Sequence, residues 1–141
     1  MEVLRSNVDT RSETYRTNRE GFLEQLTYLN EQLALARAGG GEKYVQRHLE
    51  RGKLMARERI ELLLDRDSPF LELCPLAAWG TEFGLGGGII SGIGVVSGVE
   101  CVITANEPTV KGGSINPYSA RKTGRTMEIC EHNRLPIINL T

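Results

Sequence analysis

Between residues 12 and 37, Phe22, Leu26, Leu29 and Leu33 recur at steps of four, three and four, the spacing that stacks side chains along one stripe of an α-helix. The run "AGGG" at 38–41 stops that pattern. A long amphipathic helix is predicted, with its apolar stripe facing a core or a partner, and no chemistry attaches to it. From 42 to 65 the chain stays periodic but becomes highly charged; Leu54, Ile60, Leu63 and Leu64 are the positions expected to be buried, and Gly52 divides the stretch into two shorter helices. "DRDSP" ends the helical region, and "FLEL" at 70–73 alternates apolar and acidic residues as a short half-buried strand does.

The texture changes at residue 84. "GLGGGIISGIGVVSGVECVITANE" is rich in Gly, Val and Ile and almost free of charge, and Ser97-Gly98 reads as a tight turn between two β-rich runs, 89–96 and 99–105. A hairpin with a buried second strand is predicted. Asn106, Glu107 and Pro108 close that strand, and a loop with a glycine pair follows. Asn116-Pro117 is a good cap followed by a good first-turn residue, so a helix is expected to start there and to run to about Asn133. "LPIINLT" at 135–141 reads as a buried strand, so that strand, helix and strand make a crossover whose next loop is expected beyond Thr141. On this pattern the chain looks like the opening of a larger α/β domain, divided into a helical segment, 1–65, and the start of a sheet domain, 66–141.

Composition narrows the class. The chain has 141 residues, 40% of them hydrophobic and 25% charged, which suits a globular domain rather than a disordered tail. Its formal net charge of −1 argues against nucleic-acid binding through a wholly basic surface. No apolar run approaches the roughly 18 residues of a membrane span, and the N-terminus has no signal-peptide core. Cys74, Cys101 and Cys130 are odd in number and far apart, and only His48 and His132 accompany them, so neither a disulfide framework nor a zinc site follows. They are expected to be core thiols in a reducing, cytoplasm-like compartment, and Trp79 is expected to be a packing residue.

Against that balanced background one stretch stands out. Lys111, Arg121, Lys122 and Arg125 gather around Gly112-Gly113, and no acidic residue lies between Glu107 and Glu128. The glycines permit positive φ and close backbone approach, leaving amides free for an acceptor. Arg121, Lys122 and Arg125 fall on the early turns of the expected helix and are assigned to one side of it, where the helix dipole also favours an anion. The plain alternative is a solvated helix face beside a flexible loop. A phosphate-binding P-loop is excluded because the lysine of "KGGS" precedes its glycines, and a Rossmann fingerprint is excluded because "GLGGG" at 84–88 leads into a strand.

With "ARERIELLLDRDSPFLEL" (56–73), "GGGIISGIGVVSGVECVITANEPTVKGG" (86–113) and "NRLPIINLT" (133–141) in view, the chain resembles the carboxyltransferase β subunits of biotin-dependent acyl-CoA carboxylases over residues 15–141. That resemblance implies a crotonase-like α/β fold, with the N-terminal part of the carboxyltransferase domain preceded by helices. It implies an enzyme in which carboxybiotin, carried by a biotin carboxylase/biotin carrier α subunit, carboxylates the enolate of an acyl-CoA. It also implies a homo-oligomer of β subunits, with no nucleic-acid or membrane partner, in the cytoplasm or a mitochondrial matrix. The oxyanion loop of the family follows the strand matching "INLT", outside these residues, so no catalytic residue is assigned. The resemblance sets Ala105, Lys111, Gly112, Gly113 and Ser114 beside the adenine end of CoA and makes Lys111, Arg121, Lys122 and Arg125 candidates for its phosphates. Arg57 is read either as a nucleotide contact or as a helix-capping ion pair. The "VKGG" and "NRLP" segments look more like methylcrotonyl-CoA and geranyl-CoA carboxylases than propionyl-CoA carboxylases. A non-catalytic CoA-binding or assembly module is the alternative.

Overall fold

The computed structural model describes residues 6–141. Its elements run α1 (Glu13–Arg37), α2 (Glu42–Leu49), α3 (Ala56–Leu63), β1 (Leu71–Glu72), β2 (Ile89–Val96), β3 (Val99–Asn106), α4 (Pro117–Asn133) and β4 (Ile137–Leu140). The chain divides into two compact units that meet in sequence between Ala34 and Leu35.

The first unit is most of α1. The stripe expected from the periodicity is present in the sequence, yet none of the helix's residues is buried: Phe22 is 65% exposed and Leu26 42%. The stripe therefore does not face a core among the described residues, because a single helix cannot cover its own apolar side.

The second unit is built on a four-stranded sheet in the order β1-β2-β3-β4. β2 and β3 form the expected hairpin, paired from Ile89↔Asn106 to Val96↔Val99. Its turn has positive φ at both Ser97 and Gly98, the backbone that matches the right-handed twist of the strands. The Asp65 carboxylate holds the turn by accepting from the amides of Ser97 (2.6 Å) and Gly98 (2.7 Å). β4 lies parallel to β3, with Val102↔Ile137 to Ala105↔Leu140, and α4 is the crossover that a parallel pair requires.

β3 is buried from Cys101 to Ala105, so its run of apolar residues is continuous rather than alternating. On one face Cys101, Ile103 and Ala105 pack with Ile90 and with Ala56 and Ile60 of α3, flanked by Leu63, Leu64, Phe70 and Ile138. Several expectations of burial fail: Leu54 is 48% exposed because the helix it was assigned to starts only at Ala56, Trp79 is 50% exposed in an irregular loop, Cys74 is exposed rather than a core thiol, and the 135–141 strand, expected to be buried, has no buried residue because it lies at the edge of the sheet. Among the cysteines only Cys101 is buried, where burial and then the Asp65 carboxylate push its thiol pKa up; Cys130 is half-buried and Cys74 exposed.

Candidate functional site

β3 and β4 both end, and β2 begins, at the same edge of the sheet. The N-terminus of α4 descends on that edge, leaving a cleft of about 530 Å³ walled by Ile89, Gly113, Ser114, Ile115, Ala120 and Leu140, among others. A crevice outside the carboxyl ends of parallel strands, where a crossover departs, is the usual place for a ligand in α/β sheets.

The first turn of α4 is closed by its own cap. Asn116 Oδ1 accepts from the amides of Tyr118 (2.9 Å) and Ser119 (3.0 Å), Pro117 has no amide proton, and the amide of Ala120 donates to the Asn116 carbonyl. Ser119 Oγ in turn accepts from the Asn116 amide at 2.7 Å. The helix therefore brings its dipole to the cleft but no free amide from these residues.

α4 grips the glycine-rich loop that leads into β2 at three carbonyls. Asn116 Nδ2 donates to Gly87 O at 2.9 Å, and Lys122 Nζ donates to Gly86 O (3.3 Å) and Ile89 O (2.7 Å). Gly87, at φ +70°, has a backbone conformation that strains any side chain, and a Cβ there would sit a tight 3.3 Å from the Ser119 amide nitrogen. Lys122 is only 4% exposed. Burial brings its pKa down from 10.5 to about 8, and Arg57 adds to the fall, while Glu72 and Cys74 oppose it.

This corrects the placement of the basic residues. Lys122 does not share a solvent face with Arg121 and Arg125; it points into the protein, where its ammonium donates to the carbonyls of Gly86 and Ile89. Arg121 is exposed, and Arg125 donates to Glu128 at 2.8 Å on the surface. Lys111 adopts φ +45° ahead of Gly112 (+71°) and Gly113 (+72°), and its ammonium stands 4.7 Å over the Phe83 ring, beside a hollow of about 410 Å³ that Tyr44 and Gly112 also line. Ser114 Oγ donates to the Lys111 carbonyl at 2.9 Å. Ala105 is 1% exposed and serves the core. The structure thus brings Gly113 and Ser114 to the cleft, Lys111 and Gly112 to the neighbouring hollow, and leaves the three helix cations apart.

Arg57 makes a two-pronged ion pair with Glu72 (2.5 and 3.0 Å), tying α3 to β1 rather than capping a helix. Sequence reasoning missed a buried latch behind the loop: Glu107 Oε1 accepts from the Thr109 hydroxyl and amide, and Thr109 Oγ1 accepts from the Gly40 amide at 3.0 Å. A carboxylate just after a buried strand was its only signal. Among the described residues no group of three or more His, Cys, Asp or Glu could hold a metal ion, and no helix is long and apolar enough to cross a membrane.

A mixed sheet, a crossover helix and a cleft at the strand ends define an α/β ligand-binding fold, and comparison with known proteins says which. The family model "Carboxyl transferase domain" matches residues 47–141. The protein named "Probable biotin-dependent acyl-coenzyme A carboxylase beta2 subunit" from Mycobacterium tuberculosis is 52% identical over 138 residues, 98% of this chain and 26% of its own. The Drosophila melanogaster "Probable methylcrotonoyl-CoA carboxylase beta chain, mitochondrial" is 47% identical over 141 residues, 98% of this chain and 24% of its own. The crystal structure of the Pseudomonas aeruginosa geranyl-CoA carboxylase beta subunit superimposes with a TM-score of 0.75 and 37% identity, over 99% of this chain and 27% of that one. The chain belongs to the carboxyl transferase domain family and has part of its crotonase-like fold; it spans about a quarter of the length of these relatives.

Proposed function

We propose that this chain supplies the CoA-facing part of a carboxyltransferase β subunit, in a biotin-dependent carboxylase acting on a branched enoyl-CoA such as 3-methylcrotonyl-CoA. The observation that carries this reading is the likeness to acyl-CoA carboxylase β subunits over 98% of the chain, at 52% identity. The cleft agrees with it: Ile89, Ile115 and Leu140 suit an acyl or pantetheine arm, Gly113 and Ser114 lie on its wall, and Lys111 and Gly112 line the neighbouring hollow, so that this reading assigns those four to the coenzyme.

In such a reaction the carbon next to the thioester carbonyl, or its vinylogous position, loses a proton and the enolate attacks carbon dioxide released from carboxybiotin. Backbone amides stabilise the enolate oxygen. Biotin is assigned to the α partner, and no step through it is assigned to the residues of this chain. The assembly is read as a homo-oligomer of β subunits with a biotin-carrying α partner, in the cytoplasm or, as for the Drosophila relative, in mitochondria. The supply of carboxybiotin by an ATP-dependent carboxylation and a place in leucine breakdown go with the 3-methylcrotonyl-CoA reading.

A second reading, a CoA-binding or assembly module without turnover, is favoured by the uncovered apolar stripe of α1. One experiment separates the two. The full-length protein that contains these residues is mixed with a biotin-carrying α subunit, ATP, labelled bicarbonate and either 3-methylcrotonyl-CoA or propionyl-CoA, while CoA binding is followed by calorimetry. Label fixed on 3-methylcrotonyl-CoA in preference to propionyl-CoA supports the carboxyltransferase reading. CoA binding without label transfer supports the module, and the absence of both overturns the two together.

A further inference from the structure

Residues 86–88 are glycines in succession, all at positive φ (+79°, +70° and +77°). Glycine loses more conformational freedom on folding than any other residue, so such a run is only as fixed as the groups that hold it. Four successive carbonyls, from Gly86 to Ile89, each accept a hydrogen bond from a group distant in sequence. Lys122 Nζ donates to Gly86 O and Ile89 O, Asn116 Nδ2 to Gly87 O, and the Glu107 amide to Gly88 O at 3.0 Å.

The held segment is also a wall of the cleft, which Gly88 and Ile89 line. The two side chains that hold it sit on α4, whose Ser119, Ala120 and Thr123 line the same cleft, so these bonds fix one wall against another. An ammonium is costly to bury, and that of Lys122 is carried into the protein on a residue only 4% exposed. Its charge-assisted bonds are stronger than neutral ones and tie Gly86 to Ile89 across the glycine run.

We propose that Lys122 and Asn116 are positioning residues for the reaction: by fixing the Gly86–Ile89 wall they set how tightly the acyl-CoA is held, acting through the glycine run rather than on the substrate. This assignment rests on the carboxyltransferase reading above. It is tested on the full-length protein that contains these residues, with a biotin-carrying α subunit, ATP and labelled bicarbonate. KM and kcat are read for 3-methylcrotonyl-CoA, and the Kd of the same acyl-CoA by calorimetry.

Asn116→Asp separates the tie from the helix cap, because a carboxylate still accepts from the amides of Tyr118 and Ser119 but has no donor for Gly87 O. Asn116→Asp and Lys122→Met should each raise KM and Kd by about tenfold, with kcat per folded enzyme kept within about twofold. Thr126→Val is the control: its hydroxyl lies on the same buried face of α4 but donates to the Lys122 carbonyl within the helix, so KM should not change. A loss of folded protein lowers kcat at constant KM, which separates a structural role from a positioning one. Asn116→Asp decides the matter if Lys122→Met fails to fold.

If the wild type turns over and the variants keep its KM and Kd, the positioning role is overturned and the carboxyltransferase reading survives. A rise in KM shared by Thr126→Val assigns the effect to α4 as a whole and also overturns it. If the wild type binds the acyl-CoA without carboxylating it, and Asn116→Asp weakens that binding, the role of the wall stands and the carboxyltransferase reading falls. If the wild type does not bind the acyl-CoA, both are overturned.

Discussion

The two long helices of this protein invert each other. α1 carries an apolar stripe with no buried residue among the described ones, while the buried positions of α4 are Ser119, Lys122 and Thr126, spaced as one helix face and all polar. An apolar period says which side of a helix avoids water, not whether anything covers that side. A lysine in a basic cluster says that a charge is present, not that solvent reaches it. In α4 the inversion is stable because each buried group has a partner: Ser119 serves the cap, Thr126 Oγ1 donates to the Lys122 carbonyl at 2.9 Å, and Lys122 serves the glycine-rich loop.

The largest test of this contrast is Lys122→Met. Removing the ammonium leaves the carbonyls of Gly86 and Ile89 without a donor, and the chain should lose about 2–3 kcal/mol, read as a shift of the urea midpoint at pH 7. The pH dependence has a definite sign. Because the folded pKa, about 8, lies below the ordinary 10.5, the unfolded chain binds more protons between those values. The burial penalty on the charged form is thus fully present below pH 8 and is relieved as the pH rises toward 10.5. The wild type should gain stability relative to Lys122→Met across that window, and a flat difference would show that the ammonium is solvated.

Asn116→Ala removes both the cap of α4 and the bond to Gly87 O; a loss of about 1–2 kcal/mol is expected, with amide exchange accelerated in the first turn of α4 and in residues 86–89. The smallest effect belongs to α1. Phe22→Ser, on an uncovered stripe, should change the stability of the monomer by less than about 0.5 kcal/mol. If the same variant dissociates an oligomer in sedimentation, the stripe is an interface and the contrast with α4 is one of assembly rather than of folding.

Most elements were legible because local rules agreed with the fold. Asn116-Pro117 starts α4, Ser97-Gly98 turns the hairpin, and Gly52 lies between α2 and α3, as turn and cap chemistry require. The family was carried by the resemblance of the three motifs of residues 56–141, and the family model over residues 47–141 bears it out. The candidate site was less legible. Its walls come from β2, the 113–115 loop, α4 and β4, so only the assembled crossover brings Ile89, Ile115 and Leu140 to one cleft.

What the chain's residues determined alone was therefore the order and kind of its elements, through periods, caps and turns that act within a few residues. The tertiary structure decided where each charge ended. Lys122 went inward, where it donates to the carbonyls of Gly86 and Ile89; Arg57 and Arg125 found carboxylates; Arg121, on the same helix, was left exposed. Burial and partnership are properties of distance in space, and residues far apart along the chain meet only once the sheet is assembled.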